Sequence, residues 1–122
     1  MHNLDQIRAE NALVACGLKS APAARPAIER VAESAVTKLP ALIVNNGLLA
    51  AAAFAQKKGE EMLRAMNAVA WHLADHRVHR LPANCTTTRG LAEHLALSES
   101  QDLRLASSEA LSFLSYMKRY AP

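Results

Sequence analysis

An all-α fold is the expectation from this sequence: one helical domain over residues 1–122, a compact bundle of about five to six helices with short loops. Three observations predict it. Alanine and leucine together supply about a third of the 122 residues, while valine and isoleucine are few, and that bias favours helix over strand. Glycine (4) and proline (5) are scarce, so long helical runs go uninterrupted. Apolar residues recur at helical spacing, and no segment alternates with the period of a strand. With 51% hydrophobic and 20% charged residues the composition is globular and not disordered.

The elements follow in order. Asn3 is placed to cap a first helix running to about Gly17, with Asp5 in the first turn where negative charge is favourable. Residues 20–25 read as a short loop, and Pro26 suits the first position of a second helix over about 26–38. Pro40 lacks an amide donor and is expected to break or kink that helix. A third helix then runs from about 40 to Gly59, with Gly47 in its middle and Lys57 and Lys58 in its last turn. Glu60-Glu61 open a fourth helix to about Arg80. Thr88 caps a short fifth helix over about 89–97. Ser98 or Ser100 caps the last, about 101–120, whose stripe is Leu103, Ala106, Ala110, Phe113, Leu114 and Met117.

Net charge is +3 and pI about 9.1, which permits an acidic partner without demanding one. Cys16 and Cys85 form no CxxC, and the polar start Met1-His2-Asn3-Leu4-Asp5 is not a leader; a reduced, cytoplasmic protein is expected. The apolar run from Ala41 to Ala55 is interrupted by Asn45-Asn46-Gly47 and is shorter than the roughly 20 residues of a spanning helix. It reads as a buried core helix with no membrane role. Gly47 inside it points to a small-residue crossing, either between helices of the bundle or against another subunit, with Asn46 beside it.

Chemistry-bearing motifs are sparse. His72, His76 and His79 fall in one quadrant of a helix, but residues 72–76 read His-Leu-Ala-Asp-His and lack the glutamate of HExxH. The set reads as a solvated basic helix end. There is no GxSxG, no phosphate-binding loop and no dinucleotide fingerprint, so no catalytic residue, metal or cofactor is assigned and no enzyme is expected. Residues 88–105 resemble the first helix and turn of a DNA-reading unit, and a helix-turn-helix-like DNA-binding regulator is the alternative reading.

Three ordered stretches resemble one family. They are Asn3-Leu4-Asp5-Gln6-Ile7-Arg8-Ala9; Lys38-Leu39-Pro40-Ala41 with Asn46-Gly47-Leu48 and Phe54; and Ser108-Glu109-Ala110-Leu111-Ser112-Phe113-Leu114 with Met117-Lys118-Arg119-Tyr120-Ala121. Together they resemble the small α-helical subunit of the Cmr complex, the type III-B CRISPR effector. Tyr116 stands where that family commonly has tryptophan, and it should pack similarly. The resemblance implies a non-catalytic subunit that stacks along a filament of backbone subunits and helps hold guide and target RNA through basic side chains, in antiviral defence. Its partners would be the backbone and large Cmr subunits and the two RNAs. Isolated, it is expected to be a monomer or weakly self-associating. Arg8, Lys38, Lys57 and Lys58 are the expected RNA or subunit contacts, and Arg8→Glu or Lys38→Glu is expected to leave the fold intact.

Overall fold

The computed structural model describes residues 2–121. Among them are six helices and no strand: α1 (Leu4–Ala15), α2 (Glu33–Asn46), α3 (Leu48–Lys58), α4 (Glu60–Leu73), α5 (Thr88–Ala96) and α6 (Ser100–Tyr120). α1 begins on a capping box: the Asn3 side chain accepts from the Gln6 amide at 2.9 Å, and the Gln6 side chain accepts from the Asn3 amide at 2.8 Å.

α4 is the centre of the bundle. From Ala65 onward it is buried nearly all round, at Ala65, Met66 and the unbroken run from Ala68 to Leu73. A helix apolar on every side needs neighbours on every side, and α1, α2, α3, α5 and α6 all pack on it. α1 and α6 lie side by side and run parallel. Arg8 in the first half of α1 meets Glu109 midway along α6, and the Cys16 thiol just past α1 reaches the Met117 carbonyl at 3.6 Å near the end of α6.

The N-caps of α5 and α6 are Thr87 and Glu99 in place of the expected Thr88 and Ser98 or Ser100, and three larger boundaries differ from the sequence expectation. Residues 26–32 are extended and not helical, which makes the α1–α2 connection long. Tertiary contacts hold this strap: the Val31 amide donates to the Ala15 carbonyl at 2.9 Å and the Trp71 indole donates to the Pro26 carbonyl at 2.9 Å. Arg25 donates to the Trp71 carbonyl and stacks 3.7 Å over the indole. A cation over a tryptophan face is among the stronger aromatic contacts.

Pro40 does not end a helix; α2 runs through it. The missing amide costs about 3 kcal/mol in an isolated helix. Here Val36, Leu39 and Ile43, buried at 0%, 0% and 4% exposure, bracket it and hold both turns on the core. The break comes seven residues later, at Gly47, with φ 89° and ψ 161°. That region is essentially closed to side chains. A Cβ on Gly47 would meet nothing within 4 Å, and Asn45, Asn46 and Gly47 are all exposed. The close helix crossing expected at Asn46-Gly47 is therefore absent from the bundle; the glycine is there for its backbone angle. Gly47→Ala should lower stability by about 1–3 kcal/mol, read as a drop in urea midpoint with unchanged slope.

α4 stops at Leu73 and not near Arg80. The Asp75 carboxylate accepts from the Arg77 amide at 2.9 Å, offering the chain a turn in place of the helix. The amides of Arg80 and Leu81 then return to the Leu73 carbonyl, each at 3.0 Å, and His79 takes a left-handed φ of 53°.

Candidate functional site

Two constellations stand out, one inside the bundle and one on its surface. The inner one joins α1, α4, α6 and the turn after α4 through groups that are almost wholly buried: Asn11, His72, Asp75 and Glu109. Arg8 grips Glu109 with two bonds, from Nε to Oε2 at 2.8 Å and from Nη2 to Oε1 at 2.7 Å. His72 Nε2 lies 2.9 Å from Glu109 Oε2, and Asn11 Nδ2 lies 2.9 Å from His72 Nδ1 and 3.1 Å from Asp75 Oδ2. On the far side Arg77 pairs with Asp75 through Nη2 at 2.8 Å and with Glu10 at 3.1 Å.

The wiring fixes the protonation of His72. The Asn11 amide nitrogen has two hydrogens. One goes to Asp75 and one to Nδ1, so Nδ1 is an acceptor and the ring is neutral, donating from Nε2 to Glu109. Burial pushes the same way, lowering the pKa of His72 below its usual 6.5 against the pull of Glu109. Phe113 stacks on the ring at 4.1 Å and 2°. Burial alone would raise the Glu109 carboxyl, but the hydrogen bonds from Arg8 and His72 reverse this and hold it down at about 2. Asp75 is held well below the usual carboxylate range, its burial outweighed by bonds from Arg77 and Asn11.

These positions correct two expectations. His72, His76 and His79 do not form one solvated helix end. His72 is 0% exposed, the His76 side chain is 86% exposed, and His79 lies on a turn beyond the helix. No group of three or more metal-ligating side chains is assembled among the described residues. Arg8, chosen for contact with a partner, spends its guanidinium on Glu109 and Asp5 inside the chain. Arg8→Glu would set a carboxylate against Glu109 and is expected to destabilise the fold, so it cannot report a contact cleanly.

The outer constellation lies where α2 and α3 fold back on each other about Gly47. Lys38, Ala41, Leu42 and Asn45 are spaced i, i+3, i+4, i+7 on α2, and Phe54 and Lys58 are spaced i, i+4 on α3. With Met62 of α4 they line one open groove. Lys38, Lys57 and Lys58 are exposed, and none has a carboxylate within ion-pair distance among the described residues. Lys57 and Lys58 also occupy the last turn of α3, where cations suit the helix dipole. The fold thus brings Lys38 to Lys58, which are distant in sequence, and leaves Arg8 elsewhere.

The α5–α6 corner places Leu91 and Leu95 in the core, as a helix-turn-helix would. The start of α6, where a recognition helix would read DNA, carries exposed Glu99 and Asp102 around Gln101. Carboxylates there repel phosphate, and Arg89 is engaged by Glu93 at 3.2 Å. No helix among the described residues is long and apolar enough to cross a membrane.

A family model described as CRISPR-associated protein (Cas_Cmr5) matches residues 5–122, almost the whole chain. The chain belongs to the Cas_Cmr5 family. Searches of curated proteins and of solved structures find no significant match. As a Cas_Cmr5 protein it is a CRISPR-associated subunit of the Cmr type, and membership of a complex follows from the family. That setting makes surface side chains without partners inside the chain the ones to follow. The glutamate in the core was the residue that sequence reasoning missed. Glu109 falls between Ala106 and Phe113 on the apolar stripe of α6, and that register was its signal.

Proposed function

We propose that this chain is a non-catalytic small subunit of a type III-B CRISPR effector, stacking along the backbone filament and helping to hold guide and target RNA in antiviral defence. The observation that carries the reading is the lysine set: three exposed ammonium groups, Lys38, Lys57 and Lys58, none within ion-pair distance of a carboxylate among the described residues, in a chain whose family places it in a Cmr assembly. Lysine ammonium groups engage phosphates as point charges, without reading sequence, and the interaction weakens with salt. His72, Asp75, Glu109 and the Asn11 amide nitrogen are bonded to one another and to Arg8 and Arg77, so the polar core serves the fold. Arg8 belongs to that core, and the contact role centres on the three lysines. Asn46 and Gly47, exposed at the α2–α3 hinge, lie on the same two helices and are open to a neighbouring subunit. The isolated chain is a monomer at dilute concentration, in a cytoplasmic setting.

The test is reconstitution with a tagged Cmr backbone subunit, the large subunit and guide RNA. Wild-type protein co-purifies in a ribonucleoprotein and supports target-RNA capture. Lys38→Glu/Lys57→Glu/Lys58→Glu lowers capture while the protein stays folded; reversing two charges in the last turn of α3 costs it about 1–2 kcal/mol, and Lys57→Gln/Lys58→Gln with Lys38→Gln serves as the milder control. Equal capture by both proteins would remove the lysines from the contact face.

A further inference from the structure

We infer that the α2–α3 groove receives an amphipathic helix of a different subunit, apolar on the face it inserts and acidic along its flanks. This rests on the reading of the protein as part of an assembly and adds the chemistry of one partner: it gives Lys38 and Lys58 to a neighbouring subunit and leaves Lys57, which does not line the groove, to face RNA. The floor of the groove is Ala41, Leu42, Phe54 and Met62. Phe54 is 42% exposed, an aromatic ring on open surface beside half-buried Leu42. An aromatic anchor of this kind is typical of the centre of a protein contact. RNA would find little there, since the floor presents hydrocarbon and Asn45 is the sole uncharged polar side chain lining it.

Charge defines the occupant further. Lys38 and Lys58 border the groove and no carboxylate lines it; Glu60 and Glu61 line the adjoining depression with the same two lysines but come within ion-pair distance of neither. A segment with carboxylates flanking an apolar stripe would bury Phe54 and neutralise both lysines together. The stripe from Lys38 to Asn45 rises about 10 Å along α2, two helical turns, which matches a short helix laid along the groove. A Gly47 hinge that turns sharply between α2 and α3 keeps both walls in place.

Protein and RNA occupants respond oppositely to one substitution. Ala41 is exposed on the groove wall, and Ala41→Arg fills the groove while adding positive charge. Arginine is a good helix former, so α2 is preserved. Seating of an apolar helix is then weakened about tenfold or more, seen as lost incorporation into the reconstituted complex. If the groove held RNA, Ala41→Arg would leave incorporation and RNA retention unchanged or raise them, and the inference would be overturned. A second measurement identifies the occupant directly. With Phe54 replaced by p-benzoylphenylalanine, irradiation of the assembled complex gives an adduct to an acidic helical segment of another subunit. Adducts to RNA, to a second copy of this chain or to nothing would overturn the inference. Wild-type incorporation is the control that separates the two claims. If wild type fails to enter the complex, the assembly reading falls and this inference with it. If it enters and Ala41→Arg enters equally well, only the groove assignment falls.

Discussion

Glu109→Ala is expected to lose about 3–5 kcal/mol of folding stability, a large fraction of the roughly 5–15 kcal/mol that holds a domain of this size together. The reason lies in what the carboxylate satisfies. It takes two bonds from Arg8 and one from His72, at 2.7–2.9 Å, with 6% of its surface exposed. Alanine there leaves the half-buried Arg8 guanidinium with Asp5 alone, strands the His72 Nε2–H in the interior and opens a cavity. A buried ion pair contributes little net stability when compared with a well-packed apolar pair, but removing one half of it leaves an uncompensated charge. Arg8→Leu in the Glu109→Ala background should therefore recover part of the loss. A urea double-mutant cycle measures this as a favourable coupling between the two sites. A loss below about 1 kcal/mol for Glu109→Ala would mean the network is looser and wetter than its distances indicate.

Acid should destabilise the protein in two stages. His72 is neutral in the fold with its pKa lowered from 6.5, so below that value the unfolded chain binds a proton that the folded chain refuses. Stability therefore falls as pH drops, by up to about 1.4 kcal/mol per pH unit for this one group. Glu109 is depressed from 4.5 to about 2. Its stabilising contribution is complete above the unfolded value and is lost as pH falls through about 2. Asp75, depressed further, adds to the same acid limb. Urea midpoints measured from pH 7 to 3 should decline from near pH 6.5 and more steeply below about 5. His72→Leu should flatten the upper part of the profile and leave the lower part, because Arg8 still holds Glu109. An unchanged slope between pH 5 and 6.5 in that variant would assign the first stage to another group.

Much of the fold was legible because local signals and tertiary packing agreed. Asn3 caps α1 as expected, with Gln6 completing a capping box, and of the expected α6 stripe Ala106, Ala110, Phe113, Leu114 and Met117 are buried while Leu103 is half-buried. Where they disagreed, packing prevailed. Pro26 looked like a helix start, yet Trp71 and Arg25 hold that segment extended. Pro40 looked like a helix end, yet Val36, Leu39 and Ile43 carry the helix through it, and the interruption falls on the glycine whose angles no other residue adopts easily. The lysines proposed for contact were legible as residues but not as a group. Lys38 and Lys58 meet only because α2 folds back on α3, a pairing that no local pattern announces. Arg8 was misjudged for the complementary reason: charge in a sequence motif looks alike whether it faces a partner or a buried carboxylate.

We propose that the lysine set is what this Cas_Cmr5 protein presents to its assembly. Wild-type and Lys38→Glu/Lys57→Glu/Lys58→Glu proteins compared in one reconstituted Cmr complex, with incorporation and target-RNA capture scored across a salt series, test this. The variant is expected to be folded, to capture less RNA, and to show a shallower dependence on salt because fewer ion contacts form. Equal incorporation, equal capture and an identical salt dependence would contradict it.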